Sequence, residues 1–95
     1  MARYVSLVRF TEQGARAIKK STRRAQAFRK AAEKAGVKVE AQYWTVGAYD
    51  GIMILSADQE EKVLQLITSL ATAGNVRTES LRALDETEFT ALVGK

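Results

Sequence analysis

Residues 37–55, VKVEAQYWTVGAYDGIMIL, decide the fold. From Val37 to Val46 the chain alternates with period two: Val37, Val39, Ala41, Tyr43 and Thr45 share one face of a strand, and Lys38, Glu40, Gln42, Trp44 and Val46 the other. Gly47-Ala48-Tyr49-Asp50-Gly51 then interrupts the alternation with two glycines and an aspartate, the composition of a hairpin loop. Ile52-Met53-Ile54-Leu55 follows with no polar position, as a strand covered on both faces would.

Upstream of this hairpin, Arg23 to Ala35 is rich in helix formers, and Ala25, Phe28, Ala32 and Ala35 recur at spacings of three and four. Ser21 or Thr22 is placed to cap that helix, and Gly36 to close it in a left-handed conformation. Gly14 weakens the preceding segment, Glu12 to Lys20, which is therefore expected to be short or bent after a cap at Thr11. Tyr4 to Phe10, β-branched and aromatic, reads as the first strand. Downstream, Asp58 is expected to cap a second helix with a buried stripe of Val63, Leu66, Ile67 and Leu70, ended by Gly74. Val76 to Leu84 reads as a fourth strand, and a last short helix carrying Phe89, Leu92 and Val93 begins near Asp85 or Thr87.

The order is β-α-β-β-α-β, which predicts an α+β ferredoxin-like domain over residues 1–95: a four-stranded antiparallel sheet, two helices on one face, and a short C-terminal helix. Two helices cover one side of a sheet only. Yet the first strand is apolar on both sides, with Val5 and Leu7 on one and Tyr4, Val8 and Phe10 on the other. A solvated face should be polar, so a second copy of the chain is expected to cover it, giving a homo-oligomer that is a dimer or a multiple of one.

The 95 residues contain no cysteine and no histidine. Disulfides, thiolate nucleophiles, Ser-His-Asp triads, histidine-ligated haem and standard zinc sites are thereby excluded. No Asp/Glu cluster has calcium-loop spacing, so no metal is expected. Net charge is +4, below what nucleic-acid binding by charge alone requires. No apolar run approaches the roughly 20 residues of a membrane span, and the N-terminus enters a strand pattern at once, so a cytoplasmic protein is expected.

With these elements placed, Thr11-Glu12-Gln13-Gly14, Lys19 and Arg24, Gly47-Ala48-Tyr49-Asp50, Gly74-Asn75-Val76-Arg77-Thr78-Glu79, Leu81-Arg82-Ala83 and Glu88-Phe89 resemble the GYD-domain family over nearly the whole chain. That family consists of small proteins of the dimeric α+β-barrel superfamily. Gly51 departs from the pattern, which has a bulkier apolar residue there. The resemblance implies a ferredoxin-like fold and barrel-type association, but no particular activity.

Several residues are candidates for a site, each with a structural alternative. Tyr49 and Asp50 pair a phenol with a carboxylate, a catalytic candidate able to orient a substrate or relay a proton; in a turn, the same aspartate bonds backbone amides. Arg77 and Glu79 share a strand face, where the arginine could grip a carboxylate or phosphate, or simply complete an ion pair. Tyr43 and Trp44 could line a ligand cavity, or lie in the core or an interface. Arg29 borders the buried side of its helix and either snorkels or points into a cleft. The basic residues Arg16, Lys19, Lys20, Arg23, Lys30 and Lys34 read first as a solvated helix face.

The reading these features support is a small-molecule-binding or assembly module without a cofactor of its own. The alternative is a cofactor-independent enzyme of oxygenase or isomerase type acting on a small planar or anionic compound, with Asp50 as base in the absence of histidine. RNA binding ranks third, because Asp50-Gly51-Ile52-Met53-Ile54 lacks the aromatics of the RNA-recognition signature.

Overall fold

In the computed structural model, which describes residues 1–94, the chain runs β1 (Ala2–Phe10), α1 (Glu12–Arg16), a 3-10 turn (Ile18–Lys20), α2 (Ser21–Lys34), β2 (Lys38–Trp44), β3 (Gly51–Ala57), α3 (Glu60–Thr72), β4 (Val76–Ala83) and α4 (Glu86–Val93). The strands form one antiparallel sheet in the order β2-β3-β1-β4, the ferredoxin-like arrangement read from the sequence.

Strand register divides the sheet into two chemically distinct faces. β1 pairs Tyr4 with Leu55 and Ser6 with Met53 on one side, and Val5 with Ile54 and Leu7 with Ile52 on the other. The first face carries the core: Tyr4, Val8, Met53, Leu55 and Ala57 pack with Phe28 and Ala32 of α2 and Val63 and Leu66 of α3. Leu55 and Val63 are fully buried, each contributing about 1.5–3 kcal/mol. Ser6, also buried, exchanges a hydrogen bond of 2.8 Å with Ser80 across the β1–β4 pair, so no polar group is stranded there.

Among the described residues no helix covers the second face. Val5, Leu7, Ile52 and Ile54 remain half-exposed along its centre, and Leu81, opposite Val5, is 52% exposed. α4 adds to this apolar surface. Its capping box joins the Asp85 carboxylate to the Glu88 amide (2.8 Å) and the Glu88 carboxylate to the Asp85 amide (3.0 Å). The helix itself leaves Phe89, Leu92 and Val93 exposed at 55%, 62% and 64%. A radius of gyration of 14.1 Å, against about 12 Å for a compact chain of this length, reflects the elongated shape, 49 × 30 × 18 Å.

Local signals hold at Thr11, whose side chain accepts from the Gly14 amide at 3.1 Å, and at Gly36 and Gly74, which both close helices at φ +79°. The segment after Thr11 is indeed broken, into α1 and the 3-10 turn. Three expectations are corrected. Gln59, not Asp58, is the N-cap of α3; the Asp58 carboxylate instead accepts from the Lys62 ammonium one turn on, at 3.0 Å. Ser21 begins α2 rather than capping it, and its hydroxyl accepts from Trp44. In β2, a bulge between Val39 and Ala41 resets the alternation: Val39 opposes Leu55 on the helix-covered face, whereas Ala41 and Tyr43 oppose Ile54 and Ile52 on the uncovered one.

Candidate functional site

The hairpin loop between β2 and β3 is built by hydrogen bonds to β1. Asp50 donates its amide to the Val8 carbonyl (2.8 Å) and accepts the Phe10 amide on its carboxylate (2.8 Å). Its own carbonyl accepts from the Thr45 amide at 3.0 Å. The carboxylate is thus committed to stitching the loop to the end of β1, the turn role open to it in sequence.

Tyr49 points elsewhere. Its hydroxyl donates to the Glu79 carboxylate at 2.7 Å, and the Arg9 guanidinium lies 4.5 Å from its ring centroid while donating to the Ala48 carbonyl at 3.1 Å. The bond to Glu79 raises the phenol above its ordinary pKa, desolvation and the Glu79 charge add to this, and Arg9 opposes it. Tyr49 and Asp50, adjacent in sequence, therefore serve two different places. The structure instead groups Tyr49 with Glu79, Arg9 and Arg77 at one end of the uncovered sheet face. Arg9 and Arg77 are direct cross-strand neighbours, and Arg77 makes no ion pair among the described residues.

Tyr43 and Trp44 are separated in the same way. Tyr43 lies exposed on the uncovered face, whereas Trp44, opposite Gly51, turns to the helix layer and donates its indole N–H to the Ser21 hydroxyl at 2.9 Å. Arg29 is exposed and donates to the Gln42 side-chain carbonyl at 2.7 Å.

Trp44 and Asp50 border a cavity of about 350 Å³ between the helices and the sheet. Phe10, Phe28, Met53, Leu66 and Leu70 supply most of its wall. It opens where α2 and α3 face each other with small residues, Ala27 and Ala31 against Ser69 and Ala73, all of them exposed.

Tyr43 and Trp44, weighed in the sequence as a cavity lining, both border it, whereas the polar residues at its end, Arg24 and Asn75, were not read there as site residues. These two belong to a knot that joins α1 to the start of β4. The Thr11 amide donates to the Asn75 carbonyl (3.1 Å), the Thr11 hydroxyl to the Gly74 carbonyl (2.6 Å), and the Gln13 amide group to the Asn75 side-chain oxygen (3.0 Å). Arg24 donates to the carbonyls of Ala17 (2.9 Å) and Gly14 (3.4 Å). The residues around Gly14 and Gly74-Asn75 stood out in the sequence as a pattern, and that pattern was the available signal. Among the described residues no group of three or more carboxylates is placed to hold a metal ion, and no helix is long and apolar enough to cross a membrane.

A family model described as the GYD domain matches residues 4–93. The chain is 29% identical over 92 residues to a Thermus thermophilus protein named glutamine synthetase and cystathionine beta-lyase binding protein, covering 96% of this chain and 97% of that one. It also superposes on the crystal structure of a Thermus thermophilus protein with a TM-score of 0.56 at 24% identity, covering 90% of this chain and 95% of that one. The second comparison bears on the fold, which the two share.

Proposed function

The chain belongs to the GYD domain family, and on that premise we propose that it is a homo-oligomeric binding module whose uncovered sheet face pairs with that of a second copy. The observation that carries this reading is the apolar row Val5, Leu7, Ile52, Ile54 and Leu81, which no element among the described residues covers. With β1 nine residues long, the sheet gives a flat footprint of roughly 500 Å² from strand rise and spacing. A stable interface buries about 800 Å² per partner. Exposed Phe89, Leu92 and Val93 on α4 supply further area of the same chemistry, which favours α4 as an arm laid on the second copy. Both ends of the face carry both signs of charge, Arg3 with Glu40 at one and Arg9 and Arg77 with Glu79 at the other, as self-complementary pairing needs.

The name of the Thermus relative supports a role in docking other proteins, with the assembled particle as the docking body. Asp50 is engaged with the Phe10 amide and Tyr49 with Glu79, so the hairpin reads as a support for the face rather than an acid-base pair.

The test is the mass of the particle by light scattering on the wild type and on Leu81→Arg, a substitution at an exposed position that leaves the core untouched. A discrete oligomer that falls to monomer in the variant, with unchanged circular dichroism, supports the pairing. An unchanged oligomer, or a monomeric wild type, overturns it. Surface-immobilised protein probed with purified glutamine synthetase tests the docking role, and the absence of saturable binding would remove it.

A further inference from the structure

The hydrogen-bond state of the cavity wall identifies what the cavity can hold. At about 350 Å³ it lies at the small end of ligand pockets, roughly 300–1,000 Å³, and its wall is mostly apolar. Most acceptors on its polar rim are already used, the second Asp50 carboxylate oxygen excepted. The Asn75 side-chain oxygen accepts from Gln13, the Gln42 oxygen from Arg29, the Ser21 hydroxyl oxygen from Trp44, and one Asp50 oxygen from Phe10. The donors are not. Arg24 spends two of its five N–H groups on the carbonyls of Ala17 and Gly14, and the amide hydrogens of Asn75 and Gln42 have no acceptor among the described residues. Arg24 also has no carboxylate within ion-pair reach among those residues; Asp50 lines the same cavity but is not paired with it. A half-buried cation at the edge of an apolar space, among spare donors, selects for a ligand that brings acceptors and a negative charge.

We propose that this cavity binds a small amphipathic carboxylate, with its apolar body among Phe10, Phe28, Met53, Leu66 and Leu70 and its acidic group on Arg24. The small, exposed lining residues Ala27 and Ala31 on α2, Ser69 on α3 and Ala73 just beyond it are the entry path. The site is complete within one subunit and lies on the opposite side of the sheet from the proposed pairing face, so the two readings stand or fall separately.

Isothermal titration calorimetry with octanoate and phenylpropanoate, each compared with its neutral primary amide, tests the assignment on the full chain. The carboxylates are expected to bind at one site per subunit, about tenfold or more tighter than the amides, since a charge-assisted bond is at stake. Arg24→Gln should remove that preference while leaving the amide affinity in place, and Arg23→Gln, outside the cavity on the same helix, should change nothing. Ala31→Phe fills the opening from an exposed helix position and should abolish binding of acid and amide alike, with the thermal midpoint retained. Amides that bind as well as acids, a carboxylate preference that survives Arg24→Gln, binding that survives Ala31→Phe, or no heat from any probe would each overturn the proposal.

Discussion

Gly14 of α1 and Asn75 at the start of β4 are pressed together: a Cβ on residue 14 would stand 1.9 Å from the Asn75 carbonyl oxygen. That oxygen is also the acceptor for the Thr11 amide, so the tight approach and the bond that joins β1's exit to β4's entry form at one point. Any side chain at position 14 has to push the two segments apart.

Gly14→Ala is therefore expected to destabilise the fold by about 1–3 kcal/mol, the usual cost of overpacking, although alanine favours a helix over glycine. Urea unfolding of the two proteins measures it. A variant as stable as the wild type would show that the approach is not close in solution.

Tyr49 provides a pH-dependent test. Its pKa is raised above the ordinary value of 10.0 because the protonated phenol donates to Glu79. The bond's contribution is therefore fully present below the ordinary pKa and is lost as pH rises through the higher folded one. In a phenolate absorbance titration, Glu79→Gln should return this tyrosine toward its ordinary range. Identical titration curves would mean that the bond is not formed.

Glu40 gives the opposite sign. The Ser56 hydroxyl and the Arg3 guanidinium, 3.3 Å away, hold its carboxyl below the usual range. Its contribution is present above the ordinary carboxylate pKa and fades as pH falls through the lowered one. Glu40→Gln should flatten that part of the acid limb of stability against pH. The pair is half-exposed, so the effect is small, and a steeper acid limb in the variant would contradict it.

On α4, the double substitution Phe89→Ser, Leu92→Ser should weaken self-association at least tenfold, as loss of two apolar anchors does. It should leave the circular dichroism of the subunit unchanged. Sedimentation velocity over a dilution series reads the association, and a far-ultraviolet spectrum reads the fold. Association of undiminished strength would assign α4 to some other surface.

The fold was legible because its signals were redundant. The β2–β3 hairpin announced itself through the glycines and aspartate between Trp44 and Ile52, and the two-sided apolarity of β1 marked the sheet as half-covered. Features that depend on one residue's geometry were not legible. A bulge shifts the side-chain pattern by one position, and since Glu40 and Gln42 are polar while Ala41 and Tyr43 are ambivalent, either phase of β2 reads equally well. Asp58 has the chemistry of a cap, but a lysine one turn away competes for it. The cavity is spelled by absence of bulk at Ala27, Ala31 and Gly51, and in sequence those positions look like ordinary helix formers and a turn glycine. Arg24 belongs to the family pattern in sequence, but only its bonds to the carbonyls of Ala17 and Gly14 place it at the cavity's end.

The bulge in β2 also bears on how growth stops. β2 is an outer strand, and its far edge is open to hydrogen bonding with any strand that arrives. The bulge, which contains Glu40 and follows Lys38, twists the strand locally and makes that edge a poor template for adding further strands. An isologous pairing of two like faces closes as a dimer, whereas a heterologous edge contact that does not close continues into a filament. If the proposed face-to-face pairing forms, a spoiled rim at β2 favours particles of fixed size over growth at that edge.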